Sequence, residues 1–196
     1  MEVSVIKAVG VIIDNPNLPV FYGVDLSGSF SPVSALFGVS GDDPEINYLR
    51  LDTPASGRAS GIEHTELLGI GGALSRMSLS IVGTFMDSAN NVFAGPLYPH
   101  VEGEFEGGDV IMKGLHPLRR YTVRVLAARP NDDGGLGRKG VYTISGTSIV
   151  INARNNVTWH EFVSIYPNQD GNIVMNIVPQ TADDYAYLSG LEVVEA

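Results

Sequence analysis

The sequence predicts an all-β protein built as an antiparallel β-sandwich with an N-terminal extension. From residue 109 onward, short apolar segments alternate with Gly, Pro, Asn and Asp, which is typical of strands joined by tight turns. Hydrophobic residues make up 44% of the 196-residue chain and charged residues only 17%, so the chain can fill one large core. The strands predicted in this second half span 110–115, 121–128, 140–145, 148–152, 159–165, 171–178 and 186–194.

The first half gives weaker strand signals. Residues 27–44 are rich in Gly and Ser around an apolar stretch at 33–39. We interpret them as an ordered surface excursion, with a short helix or an arm that grips a neighbouring subunit as alternatives. We expect a single domain, with N-terminal strands and the extension in 1–45 and the sandwich in 46–196. Period-two alternation predicts strands at 3–13 and 47–52, and residues 20–26 and 77–85 also look like strands.

The composition excludes several classes of partner. The net charge is −10, with only 12 basic residues, and polyanion binding needs clustered Lys and Arg. We therefore expect no nucleic-acid partner. No apolar run approaches the ~20 residues that span a bilayer, so membrane insertion is not expected either. There is no cysteine, which excludes disulfides, and the first residues lack the basic and apolar regions of a signal peptide.

The motifs of catalysis are missing from the sequence. No pair of histidines has the close spacing of a metal site, and no Gly-x-Ser-x-Gly stands between a strand and a helix. The acidic pairs are explained more simply as turn residues or as charge for solubility. We therefore predict that the protein is not an enzyme. The four histidines are His64, His100, His116 and His160.

Two kinds of binding site remain as candidates. Sugar recognition needs an exposed aromatic ring with polar neighbours, and the single tryptophan offers one, although packing at the rim of the core is the alternative explanation for such a ring. The candidate glycan-binding residues are Trp159, His160, Arg154 and Asn155. Oxygen-rich turns at 131–135 and 168–172 suit a hard cation. They give a candidate structural calcium site with Asp132, Asp133 and Asp170, and no other cofactor is predicted.

The second half resembles the galactose-binding-like jelly-roll modules found in bacterial surface and polysaccharide-related proteins. The resemblance covers roughly half of the chain and depends on the order and spacing of its turns. It implies a jelly-roll sandwich whose ligand site would lie in the loops. The residues that carry it are MKGLHPLRRYTVRVLAARP (112–130), RKGVYTISG (138–146), INARNNVTWHEFVSIYPNQDGNIVMNIV (151–178) and YAYLSGLEVVE (185–195).

Two functions from different classes are consistent with this sequence. The first is a non-catalytic structural or attachment protein, namely a phage-type virion component such as a capsid-decoration, tail or fibre protein. It would act as a homo-oligomer or with other virion proteins, with glycan contacts as a further option, on a virion or cell-exterior surface. The alternative is a carbohydrate-binding module of a bacterial polysaccharide-related protein.

Overall fold

The computed structural model describes residues 30–37, 46–49, 62–64, 67–69, 75–83, 85–87, 97–99, 107–129 and 137–196. These residues contain β-strands and no helix, hence no helix long and apolar enough to cross a membrane. The strands are β1 (Val33–Phe37), β2 (Asn47–Leu49), β3 (Ile62–His64), β4 (Ser78–Gly83), β5 (Phe85–Asp87), β6 (Leu97–Pro99), β7 (Gly108–Lys113), β8 (Tyr121–Leu126), β9 (Lys139–Ile144), β10 (Thr147–Asn152), β11 (His160–Ile165), β12 (Ile173–Pro179) and β13 (Gly190–Glu195).

Two large sheets form a sandwich. The five-stranded sheet has the order β11-β8-β13-β1-β2, and the six-stranded sheet has the order β10-β9-β12-β7-β4-β3. Neighbouring strands are antiparallel except β1 and β2, which are parallel. A separate ribbon pairs β5 with β6. The predicted all-β sandwich is confirmed.

Period-two alternation places one face of each sheet in the core. In β7, β8 and β12 buried residues alternate with more exposed ones along the strand, because successive side chains point to opposite faces. The buried side chains of both sheets form one apolar cluster. Its largest members are Tyr121, Tyr142, Phe37, Met77, Leu79, Ile81, Met112, Ile144, Ile151 and Met175.

The prediction of a surface excursion at 27–44 is wrong for its apolar stretch. Residues Val33–Phe37 form β1, which lies between β13 and β2 inside the five-stranded sheet. Val33, Ala35 and Phe37 alternate toward the core and are almost completely buried. The strand is short and its flanks are rich in Gly and Ser, so the composition does not indicate a strand, although its three inward positions are apolar. Apart from residues 30–32, the rest of the expected extension, with the strands predicted at 3–13 and 20–26, lies outside the described residues.

Other strand boundaries shift by a few residues. The strand predicted at 186–194 begins only at Gly190, because residues 186–189 are buried in an irregular connection between the sheets. The strand predicted at 77–85 is observed as β4, with β5 following at Phe85. β3 was not predicted. The hairpin between β9 and β10 turns through Ser145 and Gly146, both with positive φ (48° and 80°), as a two-residue type I′ turn requires.

Candidate functional site

One end of the sandwich brings together the segments that carry the candidate sugar-binding residues. We call it the loop end. There, strands β8, β10 and β12 end and strands β9, β11 and β13 begin. Backbone hydrogen bonds link the segments: the Arg129 N–H donates to the Ala153 carbonyl over 2.8 Å, and the Ala153 N–H donates to the Arg138 carbonyl over 2.8 Å. The described segments that meet there are 127–129, 137–138, 153–159 and 180–189.

The segment 153–159 is held in place by Asn156. Its Nδ2 donates to the Ala127 carbonyl over 2.8 Å and to the Thr158 carbonyl over 3.1 Å, while its Oδ1 accepts from the Thr158 N–H over 2.9 Å. Asparagine suits this position because its amide can donate and accept at once. The loop is therefore pre-organised by side-chain-to-backbone bonds.

Two of the candidate residues, Arg154 and Asn155, are exposed on this loop. The Asn155 N–H donates to the Arg129 carbonyl over 3.0 Å, and its φ of 50° is one that asparagine tolerates better than most residues. Val157 is the most exposed large apolar side chain described, at 86%. The loop thus carries three exposed residues, an arginine, an asparagine and a valine.

Trp159 lies on the outer face of the five-stranded sheet. The next residue after Gly190 in β13, Leu191, is buried, so position 190 faces away from the core. A Cβ added at Gly190 would lie 2.7 Å from Cη2 of Trp159 and 3.1 Å from Cδ2 of Leu36. The indole therefore covers the backbone of Gly190 and stays partly exposed. The indole therefore fits both explanations: it packs on the surface of the sheet, and its ring stays partly accessible.

A row of charged side chains crosses the same outer face two residues further along β11 and β13. Nε of Arg124 lies 2.8 Å from Glu161, and Nη1 of Arg124 lies 3.4 Å from Glu192. These bonds to Glu192 and the negative charge of Glu161 raise the pKa of Arg124 further above its ordinary value. The two carboxylates share one guanidinium, so this group of three side chains carries a net negative charge.

His160 lies on the other side of β11 from Trp159. It pairs with Val125 across the sheet, and directly opposed residues share a face. Val125 is fully buried, so His160 is at the core-facing side, partly covered at the end of the strand. The structure therefore places Arg154, Asn155 and Trp159 on one continuous loop and separates the histidine from the indole.

Sequence reasoning missed a buried arginine–tyrosine cluster at the loop end. Arg138 donates to the Tyr187 hydroxyl, and its guanidinium carbon lies 5.4 Å and 5.5 Å from the ring centres of Tyr185 and Tyr187. The Tyr142 hydroxyl donates to the Tyr187 carbonyl and accepts from the Tyr187 N–H over 3.3 Å. Burial raises the pKa of Tyr142. The cluster connects the segment 137–138 with the segment 180–189 at the loop end.

The candidate calcium ligands do not form a group in the described part of the chain. Asp132 and Asp133 lie outside the described residues. Asp170 is exposed on a turn whose backbone bonds to the Asn168 side chain over 3.0 Å, at the end of the sandwich opposite the loop end. No three His, Asp or Glu side chains among the described residues are arranged to hold a metal ion. Calcium binding stays a prediction.

Comparisons with known proteins give one structural likeness. No family model and no curated protein matches the chain. A solved structure described as Xyl-CBM35 in complex with a glucuronic acid containing disaccharide aligns over 58% of this chain and 84% of that chain, with 18% sequence identity and a TM-score of 0.37.

Proposed function

We propose that the protein is a non-catalytic carbohydrate-binding module whose binding surface is the loop 154–159 at the loop end. The observation that carries this proposal is the combination of a partly exposed indole on Gly190 with exposed Arg154 and Asn155 on one pre-organised loop. An aromatic ring offers a flat apolar surface to the C–H face of a pyranose. The guanidinium and the amide supply hydrogen bonds for hydroxyl groups.

Pre-organisation is the physical reason that such a small surface would suffice. The Asn156 bonds fix the loop before a ligand arrives, so binding does not have to order it. The sheet beneath also fixes the indole. A sugar therefore meets a rigid surface, and the free energy of its contacts goes into affinity.

The virion-component role predicted from the sequence has less support. No feature of the described residues or of the comparisons favours a capsid, tail or fibre protein over another sandwich. The sugar-binding alternative has a definable surface with residues of suitable chemistry. We therefore place it first.

The decisive experiment uses the single tryptophan as the reporter. The chain contains one Trp, so its emission comes from the proposed site alone. A glycan array selects ligands, and fluorescence titration of the purified protein with a selected oligosaccharide is expected to give a saturable change. Trp159→Ala should abolish binding on the array, and Arg154→Ala should weaken it by about tenfold, as loss of a charge-assisted hydrogen bond implies.

Tyr166→Ala is the matched control. Tyr166 is an exposed aromatic residue at the opposite end of the sandwich, where Nε of Arg120 donates to its hydroxyl over 2.7 Å. Its removal should leave glycan binding unchanged. An array without ligands, or a Trp159→Ala variant that binds as the wild type does, would overturn the proposal.

A further inference from the structure

Among the described residues, no strand pairs with the outer edge of β10 in the six-stranded sheet, and this edge carries no charge. Its sequence, Thr-Ser-Ile-Val-Ile-Asn, has no ionisable residue and no proline. Five of its six residues are at least partly exposed, and Val150 is 51% exposed. Proteins ordinarily protect an edge strand with charge, proline, a bulge or a covering loop, because its free N–H and C=O groups invite pairing.

The edge of the five-stranded sheet formed by β11 is protected. β11 has an irregular register between Phe162 and Ile165, with Ser164 at a φ of 56°, and such a bulge interrupts pairing with a further strand. β2 and β3 are described over three residues each. β10 is therefore the long, regular and uncharged edge in the described part of the molecule.

The backbone groups that β10 turns outward can be assigned from its hairpin. In a hairpin with a two-residue turn the flanking residues, here Ile144 and Thr147, form a hydrogen-bonded pair, and the pairs then alternate. Odd-numbered residues of β10 therefore bond to β9. The Ala153 N–H, which donates to the Arg138 carbonyl over 2.8 Å, continues this phase. Ser148, Val150 and Asn152 direct their N–H and C=O groups to the open edge.

We propose that β10 pairs antiparallel with β10 of a second copy of the chain, about a two-fold axis at Val150, so that the two six-stranded sheets become one continuous sheet. In this register Val150 lies opposite its own copy, Ile149 opposite Ile151 and Ser148 opposite Asn152. Core-facing residues stay on the core-facing side, which a one-residue slip would reverse.

A second copy fits this edge better than an unrelated strand because the edge is complementary to itself. The proposed register places valine against valine, isoleucine against isoleucine and a small polar residue against a small polar residue. Ser148, Val150 and Asn152, whose N–H and C=O groups point to the open edge, then all lie in hydrogen-bonded pairs. A shift by two residues would set Val150 against Ser148 and lose part of these bonds. The missing charge removes the repulsion that two like strands otherwise suffer.

A single introduced cysteine tests the axis, since the chain has no cysteine of its own. In Val150→Cys the two Cα atoms would lie ~5.5 Å apart across the axis, inside the range of ~4.4–6.8 Å that a disulfide spans. Ser148→Cys is the control, because the two copies of that position would be four residues or ~13 Å apart. Under the same oxidising conditions, Val150→Cys is expected to form a covalent dimer rapidly, whereas Ser148→Cys should form no disulfide between the two copies. Equal cross-linking of both variants would overturn the register.

Sedimentation velocity of the full chain over a range of concentrations tests the dimer itself. The wild type should shift from monomer to dimer as concentration rises, and Val150→Lys should remain monomeric because it sets two ammonium groups against each other. Val174→Lys is the matched control: Val174 is 40% exposed on the same sheet face but lies in the inner strand β12. A wild type that is monomeric throughout, or a dimer dissociated by Val174→Lys and not by Val150→Lys, would overturn the proposal.

Discussion

At the scale of single residues, Gly190 determines where the indole of Trp159 can lie. A methyl group at this position would come within 2.7 Å of Cη2 of the indole, closer than packed atoms approach, so Gly190→Ala should push the ring off the sheet. We expect a loss of about 1–3 kcal/mol in the free energy of unfolding, typical of overpacking, and a red shift in tryptophan emission as the ring becomes more hydrated.

Gly146→Ala is a suitable control for that substitution. Gly146 has a φ of 80° and nothing within 4 Å of an added Cβ, so alanine there is strained by the backbone alone. The variant should lose about 1 kcal/mol with unchanged tryptophan emission. An unshifted emission spectrum in Gly190→Ala would contradict the contact between Gly190 and the indole.

The sequence identified only some of the residues at the loop end, for a physical reason. Trp159 could be proposed because a lone tryptophan at the start of a predicted strand is conspicuous and its polar neighbours lie within a few positions. The partners in the arginine–tyrosine cluster are far apart in the chain: Arg138 is 49 residues from Tyr187. No local pattern records such a contact, which exists only once the two sheets have packed.

At the scale of elements, alternation predicted the strands that have one face in the core. β7, β8, β9 and β12 were located within two or three residues because their inward positions are apolar and their ends carry turn residues. β1 was assigned to a surface excursion because it is short and its neighbours are rich in Gly and Ser. A strand of five residues has three inward positions, and those are too few to outweigh the composition around them.

Asn47 is the residue that fixes the edge beside β1. Its buried side chain donates to the carbonyls of Ser34 and Leu68 over 2.8 Å each, and it accepts from the Leu68 N–H over 2.7 Å. Asn47→Ala should lower the free energy of unfolding by about 2–3 kcal/mol, because it strands buried backbone groups. Urea unfolding measures the loss, and hydrogen exchange should quicken at Leu68.

An exposed asparagine provides the comparison. Asn168 also accepts two backbone N–H groups, from Asp170 and Asn172, but in an exposed turn, where water can replace the side chain. Asn168→Ala should therefore lose no more than about 1 kcal/mol. If the two substitutions were equally destabilising, the contribution assigned to burial at Asn47 would be wrong.

At the scale of the whole molecule, the two sheets are joined at the loop end by a hydrogen bond between buried groups. Tyr142 belongs to β9 of the six-stranded sheet, and its hydroxyl bonds to the backbone of Tyr187, in the segment that leads into β13 of the five-stranded sheet. Tyr142 is completely buried. An ionised phenol at this position would be a charge in an apolar core, which is why burial raises its pKa.

Because of this buried phenol, the free energy of unfolding of the sandwich is expected to fall at alkaline pH. In the unfolded chain tyrosine releases its proton near pH ~10, while the folded chain keeps the proton of Tyr142 to higher pH. Above pH ~10 the unfolded chain therefore binds fewer protons than the folded one, and the free energy of unfolding falls as pH rises.

Tyr142→Phe should be about 1–3 kcal/mol less stable at neutral pH, having left the Tyr187 backbone unsatisfied, and its stability should decline less steeply above pH ~10. Some decline remains because burial also raises the pKa of Tyr121. Urea unfolding at a series of pH values measures both effects, with Tyr166→Phe at an exposed position as the control that should follow the wild type. An alkaline slope in Tyr142→Phe as steep as that of the wild type would show that this phenol does not set the pH dependence.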